Sequence, residues 1–219
     1  MSNPEDPVDR ISRELRTPAA AGIAGVVFAG ILLAVLVLMH TSVPTGSESG
    51  EWLADSGRRQ AVQTAVSLIP FAGISFLWFI GVIRSRLGAR EDKLFATVFL
   101  GSGLLFVGLL FTTAAFLGTA LVLYDRGVDV SADAMQTLQV LARQLMGLFG
   151  ARMAAVFALA VSSVALRMGL FPRWLVVAGY VAGVVLLLSP PLTQWAQVVF
   201  PGWVLLVSLY VLAPSRRAG

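Results

Sequence analysis

The chain has 219 residues, of which 57% are hydrophobic and 13% charged, about half the charged share of a soluble domain. So little polar surface excludes disorder and an ordinary water-soluble fold, and leaves a lipid bilayer as the medium its apolar residues face. The net charge of +4 is spread over the segments between apolar runs, so it reads as orientation in a membrane rather than as a nucleic-acid surface.

Residues 1–18 form a polar N-terminal segment. Val8, Ile11 and Leu15 recur in it at helical spacing among Arg10, Arg13, Glu14 and Arg16. An amphipathic helix on the membrane surface and a frayed terminus both fit this pattern. Residues 19–213 hold the apolar mass. The first span runs from Ala19 to His40, too long for a signal-peptide core and without a cleavage site after it, so it reads as retained. A Gly/Ser-containing loop with Pro44 follows, and Glu51–Gln60 starts a helix.

The second span covers Ala61 to Ile83, with Pro70 inside it. A charged turn follows from Arg84 to Lys93, and the third apolar run extends from Leu94 to Tyr124. That run exceeds the roughly 20 residues a crossing needs, so it must tilt or project beyond the hydrocarbon.

Ser131 is placed to cap a helix whose apolar face is Ala134, Met135, Leu138, Leu141 and Leu145. This piece runs into a fourth span, Leu145 to Leu166, with Gly147 and Gly150 able to bend the junction. The fifth span is Trp174 to Leu188, ended by Ser189-Pro190-Pro191. The sixth is Leu192 to Leu212, with Pro201 inside it. The last two are short enough to form a re-entrant hairpin instead of two crossings. Residues 214–219 are a basic tail. The expected architecture is an all-α polytopic transmembrane helix bundle of about six spans with both termini cytoplasmic.

The orientation follows from the basic residues. With the N-terminus inside and six crossings, Arg10, Arg13, Arg16, Arg84, Arg86, Arg90, Lys93, Arg167, Arg173, Arg216 and Arg217 are cytoplasmic. Arg58, Arg59, Arg126 and Arg143 fall outside, and Arg152 lies within a span. Basic residues in short loops concentrate on the cytoplasmic side, which is the side this model gives them. Trp174 and Tyr210 are expected at the inner interface, and Trp52, Tyr124 and Trp195 at the outer one. Trp78 and Tyr180 lie deeper and are expected to pack between helices.

The absence of cysteine excludes disulfides, thiolate metal sites and thiol nucleophiles, and the single His40 excludes multi-histidine metal sites. His40 itself reads as a boundary residue. No metal site or cofactor is expected. No paired carboxylates, nucleophile elbow or zinc-protease motif occurs, which disfavours an enzyme.

Arg152 stands out because a charge inside a span costs about 2.5–3.5 kcal/mol on insertion scales. Gln63, Thr64, Gln194 and Gln197 are the polar side chains expected near it. Two readings stand. The set forms a polar vestibule open to the outside in which Arg152 holds an anionic group, or Arg152 snorkels to lipid phosphate. Gly179 and Gly183 form a G-x-x-x-G pair, and Gly25 and Gly147 belong to further small-residue faces suited to close helix packing.

Arg167-Met-Gly-Leu-Phe-Pro-Arg-Trp-Leu175, together with Trp78-Phe-Ile-Gly-Val-Ile-Arg-Ser-Arg86, resembles a pattern in uncharacterised multi-span integral membrane proteins of high-G+C bacteria, a domain-of-unknown-function group. The resemblance implies a bundle of about six helices and transfers no functional residue. Two functions are expected from the sequence for a bacterial plasma-membrane protein. The first is a non-enzymatic structural, accessory or interaction protein. The second is a transporter or binding protein for a small anionic amphiphile or lipid. Membrane lipids are the expected partners, with another membrane protein or self-association as a further option and no nucleic acid.

Overall fold

The computed structural model describes residues 18–43, 51–87, 93–128, 130–189 and 194–213. Most of the N-terminal segment, the middle of the charged turn after Arg84, Pro190-Pro191 and the basic tail lie outside the described residues. Every described element is helical. In chain order they are α1 (Pro18–Ser42), α2 (Glu51–Ala54), α3 (Ser56–Leu87), α4 (Lys93–Asp125) and α5 (Ala132–Gln144). A π-helical segment (Leu145–Gly150) leads into α6 (Ala151–Met168) and α7 (Arg173–Leu188), and a 3-10 turn (Gln194–Val198) leads into α8 (Val199–Leu212).

Four stretches are long and apolar enough to cross a membrane: Gly22–Ser42, Ser56–Arg84, Thr97–Asp125 and Ala132–Met168. The protein is therefore a helical bundle with at least four helices compatible with a bilayer. Arg173–Leu188 and Ala196–Leu212 are apolar but shorter.

Local chemistry sets the boundaries. Gly127 ends the turn after α4 at φ 63°, with Gly127 N–H donating to the Tyr124 carbonyl (2.9 Å) and Val128 N–H to the Leu123 carbonyl (3.1 Å). This is a Schellman closure, which needs a left-handed residue that glycine supplies without strain. Gly169, also at φ 63°, ends α6 in the same way, and Leu170 N–H reaches the Ala165 carbonyl at 3.0 Å. Pro172 then sits just before α7, so the connection is tight and α7 runs back antiparallel to α6. Ser131 Oγ accepts from Ala134 N–H at 3.3 Å and caps α5, with Asp133 in its first turn. Pro201 lies in the first turn of α8, where its missing N–H costs no helical bond.

The junction expected to bend at Gly147 and Gly150 is the π segment, so α5 and α6 form one rod from Ala132 to Met168. Its buried face differs from the sequence expectation. Met135, Gln139 and Ala142 are buried, whereas Ala134 and Leu141 are exposed. In a bilayer the apolar side of a helix is free to face lipid, so hydrophobicity alone does not identify the inward side.

The end of the bundle carrying Ser42, Ser56, Asp125 and Ala132 is called upper here, and the end carrying Leu87, Lys93, Met168 and Leu212 lower. In the lower half the helices close a ring: α1 packs on α3 and α8, α4 on α3 and α6, and α7 on α6 and α8. Phe28, Phe76, Phe106, Phe157 and Phe200 fill its centre, each at most 2% exposed. Their centroids lie 4.5 Å (Phe28–Phe76), 5.0 Å (Phe76–Phe157 and Phe106–Phe200) and 5.6 Å (Phe76–Phe200) apart, mostly tilted or edge-on. Offset and edge-on pairs suit the quadrupole of the ring.

Glycines bring the helices together. A Cβ at Gly179 would lie 2.8 Å from Trp203 Nε1 and would also strike Ser162 Oγ. One at Gly183 would lie 2.6 Å from Leu159 Cγ, and one at Gly25 would lie 2.8 Å from the Phe79 ring and strike Ser208 Oγ. Gly147 is buried on the π segment.

A second apolar cluster closes the upper end, where α2 folds inward and buries Trp52 among Val43, Leu53, Val62, Ala120, Leu121 and Met135. Trp52 is thus fully enclosed by protein instead of lying at a lipid interface. Trp78, expected between helices, is 63% exposed on the outside of α3, because Phe76, Phe79 and Ile80 take the inward positions of that helix. Tyr180 does pack between helices, its hydroxyl 3.0 Å from Ser163 Oγ, and Trp174 and Tyr210 are exposed near the lower end.

Candidate functional site

The site arises where the ring stops being closed. The 16 residues of α7 rise only about 24 Å at 1.5 Å per residue. Near its top, Leu186 lies against the same small space as Ala151, Phe200 and Leu32. Above that level α7 and α8 contribute no wall, while α1, α3, α4 and the α5–π rod continue upward. α1 and α5 do not pack extensively on one another. The space between them is a cleft of about 340 Å³, within the usual range for ligand sites.

The cleft is graded from bottom to top. Its lower walls are Leu32, Leu36, Ile69, Leu110, Met146 and Val198. Its upper walls carry His40 and Thr41 from α1, and Gln139 and Arg143 from α5. Thr113 and Gln197 complete the polar lining. No acidic side chain lines the cleft among the described residues. Below it, the phenylalanine layer is packed without a through path.

Gln139 is the side chain least satisfied by the protein itself. It is 6% exposed, lines the cleft, and its Nε2 has no hydrogen-bond partner. A buried amide without an acceptor costs about 1–3 kcal/mol. Thr113, by contrast, donates to the Leu109 carbonyl of its own helix at 2.8 Å. Arg143 follows Gln139 by four residues, so both project from the same face of α5. Arg143 is half-buried.

Of the polar residues expected around Arg152, only Gln197 lines the cleft. Gln63 and Thr64 are exposed on α3, and the Thr64 hydroxyl donates to the Gln60 carbonyl of its own helix at 2.9 Å. Gln194 opens the 3-10 turn. Arg152 is half-buried, and its Nη1 donates to the Leu148 (3.3 Å) and Gly147 (3.5 Å) carbonyls of the π segment. These residues do not converge on one cavity. The residues that do converge with Gln197 are His40, Thr113, Gln139 and Arg143. The available signal was a polar residue on the inward stripe of α5, where Gln139 interrupts Met135, Ala142 and Met146. Among the described residues no group of three or more His, Asp or Glu side chains could hold a metal ion.

No known protein family model matches the chain, and neither curated proteins nor solved structures give a significant match.

Proposed function

We propose that the protein is a bacterial plasma-membrane protein that binds an amphiphile with an anionic head group in the cleft between α1 and α5. The observation that carries this reading is the grading of the cleft, apolar below and polar with basic character above, with an open side between two helices. Of the two functions expected from sequence, binding has this specific support. The accessory reading rests on exposed apolar faces that lipid would cover equally well. The vestibule is assigned to Arg143 instead of Arg152.

Depth supports the same reading. Tyr210 lies about 15 Å along α8 below Phe200, and Leu38 about 15 Å along α1 above Phe28. A hydrocarbon core of about 30 Å centred on the phenylalanine layer then has its upper boundary near Leu38 and Gly147. Leu32, Leu36 and Met146 lie at or below that boundary, at acyl-chain depth. His40, Gln139 and Arg143 lie above it, at and beyond head-group depth. The upper end is assigned to the outside and both termini to the cytoplasm, following the excess of basic residues in the inward segments and tails. The sealed phenylalanine layer favours capture or presentation of the amphiphile over a continuous pore.

The test fills the cleft. Leu36→Trp places a bulky ring among its lower walls. The purified variant is expected to bind palmitoyl lysophosphatidylglycerol at least tenfold more weakly than wild type by native mass spectrometry. Equal binding by a folded variant would rule out the cleft as the site.

A further inference from the structure

We infer that the cleft recognises the phosphate of a lipid, held jointly by the Gln139 amide and the Arg143 guanidinium, with one acyl chain in the apolar part below. This rests on the amphiphile reading and names the head group it takes.

The argument starts from Gln139. Its Nε2 is a double donor, enclosed by protein and left without an acceptor, on the wall of a cleft that contains no acidic side chain. An acceptor brought by a ligand removes that penalty. Arg143 lies one helical turn further along the same face and carries five donors in a planar fork suited to phosphate oxygens. His40 and Thr41 approach from α1, on the opposite wall. Donors therefore reach the upper cleft from two helices in different directions. A carboxylate offers two oxygens in one plane and is saturated by the arginine fork alone. A phosphate offers oxygens in tetrahedral directions and has acceptors left for Gln139.

Size limits the tail. At the roughly 30 Å³ a water molecule occupies, 340 Å³ holds on the order of ten heavy atoms, a large part of one acyl chain and not two. The open side lets the rest of the lipid remain in the bilayer.

The experiment uses the full chain in nanodiscs and three probes that share a palmitoyl chain: lysophosphatidylglycerol, palmitate and monopalmitoylglycerol. The last has the chain and ester but no phosphate. Wild type is expected to bind lysophosphatidylglycerol at least tenfold more tightly than either of the others. Gln139→Leu is expected to reduce that advantage about tenfold, the usual effect of losing a hydrogen bond to a charged group, and to leave monopalmitoylglycerol binding unchanged. The substitution removes an unsatisfied polar group, so the fold should tolerate it; Gln139→Met provides the same test with a flexible side chain.

An unchanged preference in the two variants overturns the phosphate assignment, as does an equal loss for palmitate. In either case retained binding of monopalmitoylglycerol, blocked by Leu36→Trp, leaves the amphiphile reading standing. Displacement of the lipid by millimolar inorganic phosphate would identify a free anion as the ligand and overturn the lipid part. Failure of all three probes to bind would remove the amphiphile reading together with this one.

Discussion

Phe76 shows how much one side chain can organise here. Its ring lies within 6.1 Å of Phe28, Phe79, Phe106, Phe157 and Phe200, so it touches rings from α1, α4, α6 and α8 as well as its own helix. Truncating a buried phenylalanine in a soluble core costs about 3–5 kcal/mol. In lipid the transfer contribution is absent and the loss is mainly packing and cavity. Phe76→Ala is therefore expected to lower stability by about 3 kcal/mol, at the bottom of that range. Unfolding in mixed micelles measures it, and a loss below about 1 kcal/mol would mean that the aromatic layer does not hold the ring of helices together. The same scale explains why Arg152 drew attention in the sequence and Arg143 did not. Arg152 stands in the more apolar surroundings, and insertion cost is legible from neighbours in the chain. Which way a side chain points is not. The two residues are about two and a half α-helical turns apart, so they lie on nearly opposite sides of the rod. Only the packing of that rod shows which side meets the cleft.

At the scale of elements, the π segment sets the aim of α5. A π turn closes i→i+5 bonds where an α-helix closes i→i+4, so it accommodates one extra residue in the rod. Arg152 donates to two carbonyls within this segment, which ties the irregularity to a specific side chain. Deleting Leu148 is expected to restore α-helical register and rotate α5 by about 100° relative to α6. Gln139 and Arg143 would then leave the cleft wall. The deletion variant should lose lysophosphatidylglycerol binding while circular dichroism reports unchanged helix content. Retained binding would show that the twist of the rod is immaterial to the site. The sequence indicated an irregularity at this point through Gly147 and Gly150. It did not indicate π geometry, because that depends on where α4 and α6 grip the segment.

At the scale of the molecule, much of the architecture was legible. The six apolar segments, the long third one and the shortness of the fifth follow from hydropathy and length, which are properties of the chain alone. The cleft was not legible, because it exists through a mismatch in height. α7 ends at Leu188 while its neighbour continues upward to Ala132, and that relation appears only once the helices stand side by side. Trp52 was misplaced for a related reason. Its amphipathic ring suits an interface, but the short α2 turns it into the bundle. The proposed orientation is tested with a reporter active only outside the cytoplasm, fused after Gly219. It is expected to be silent, and activity would refute an even number of crossings from a cytoplasmic N-terminus.

The height mismatch also has a mechanical side. The lower bundle is a closed hoop, in which moving any helix outward must break contacts on two flanks. The upper bundle is a hoop with one segment cut out, and α1 and α5 are its free ends. Prying these ends apart strains no extensive interface between them, and the aromatic layer beneath acts as the fulcrum. The molecule thus has a stiff base and a compliant crown, and the opening can adjust to the girth of what it grips while the base keeps its shape.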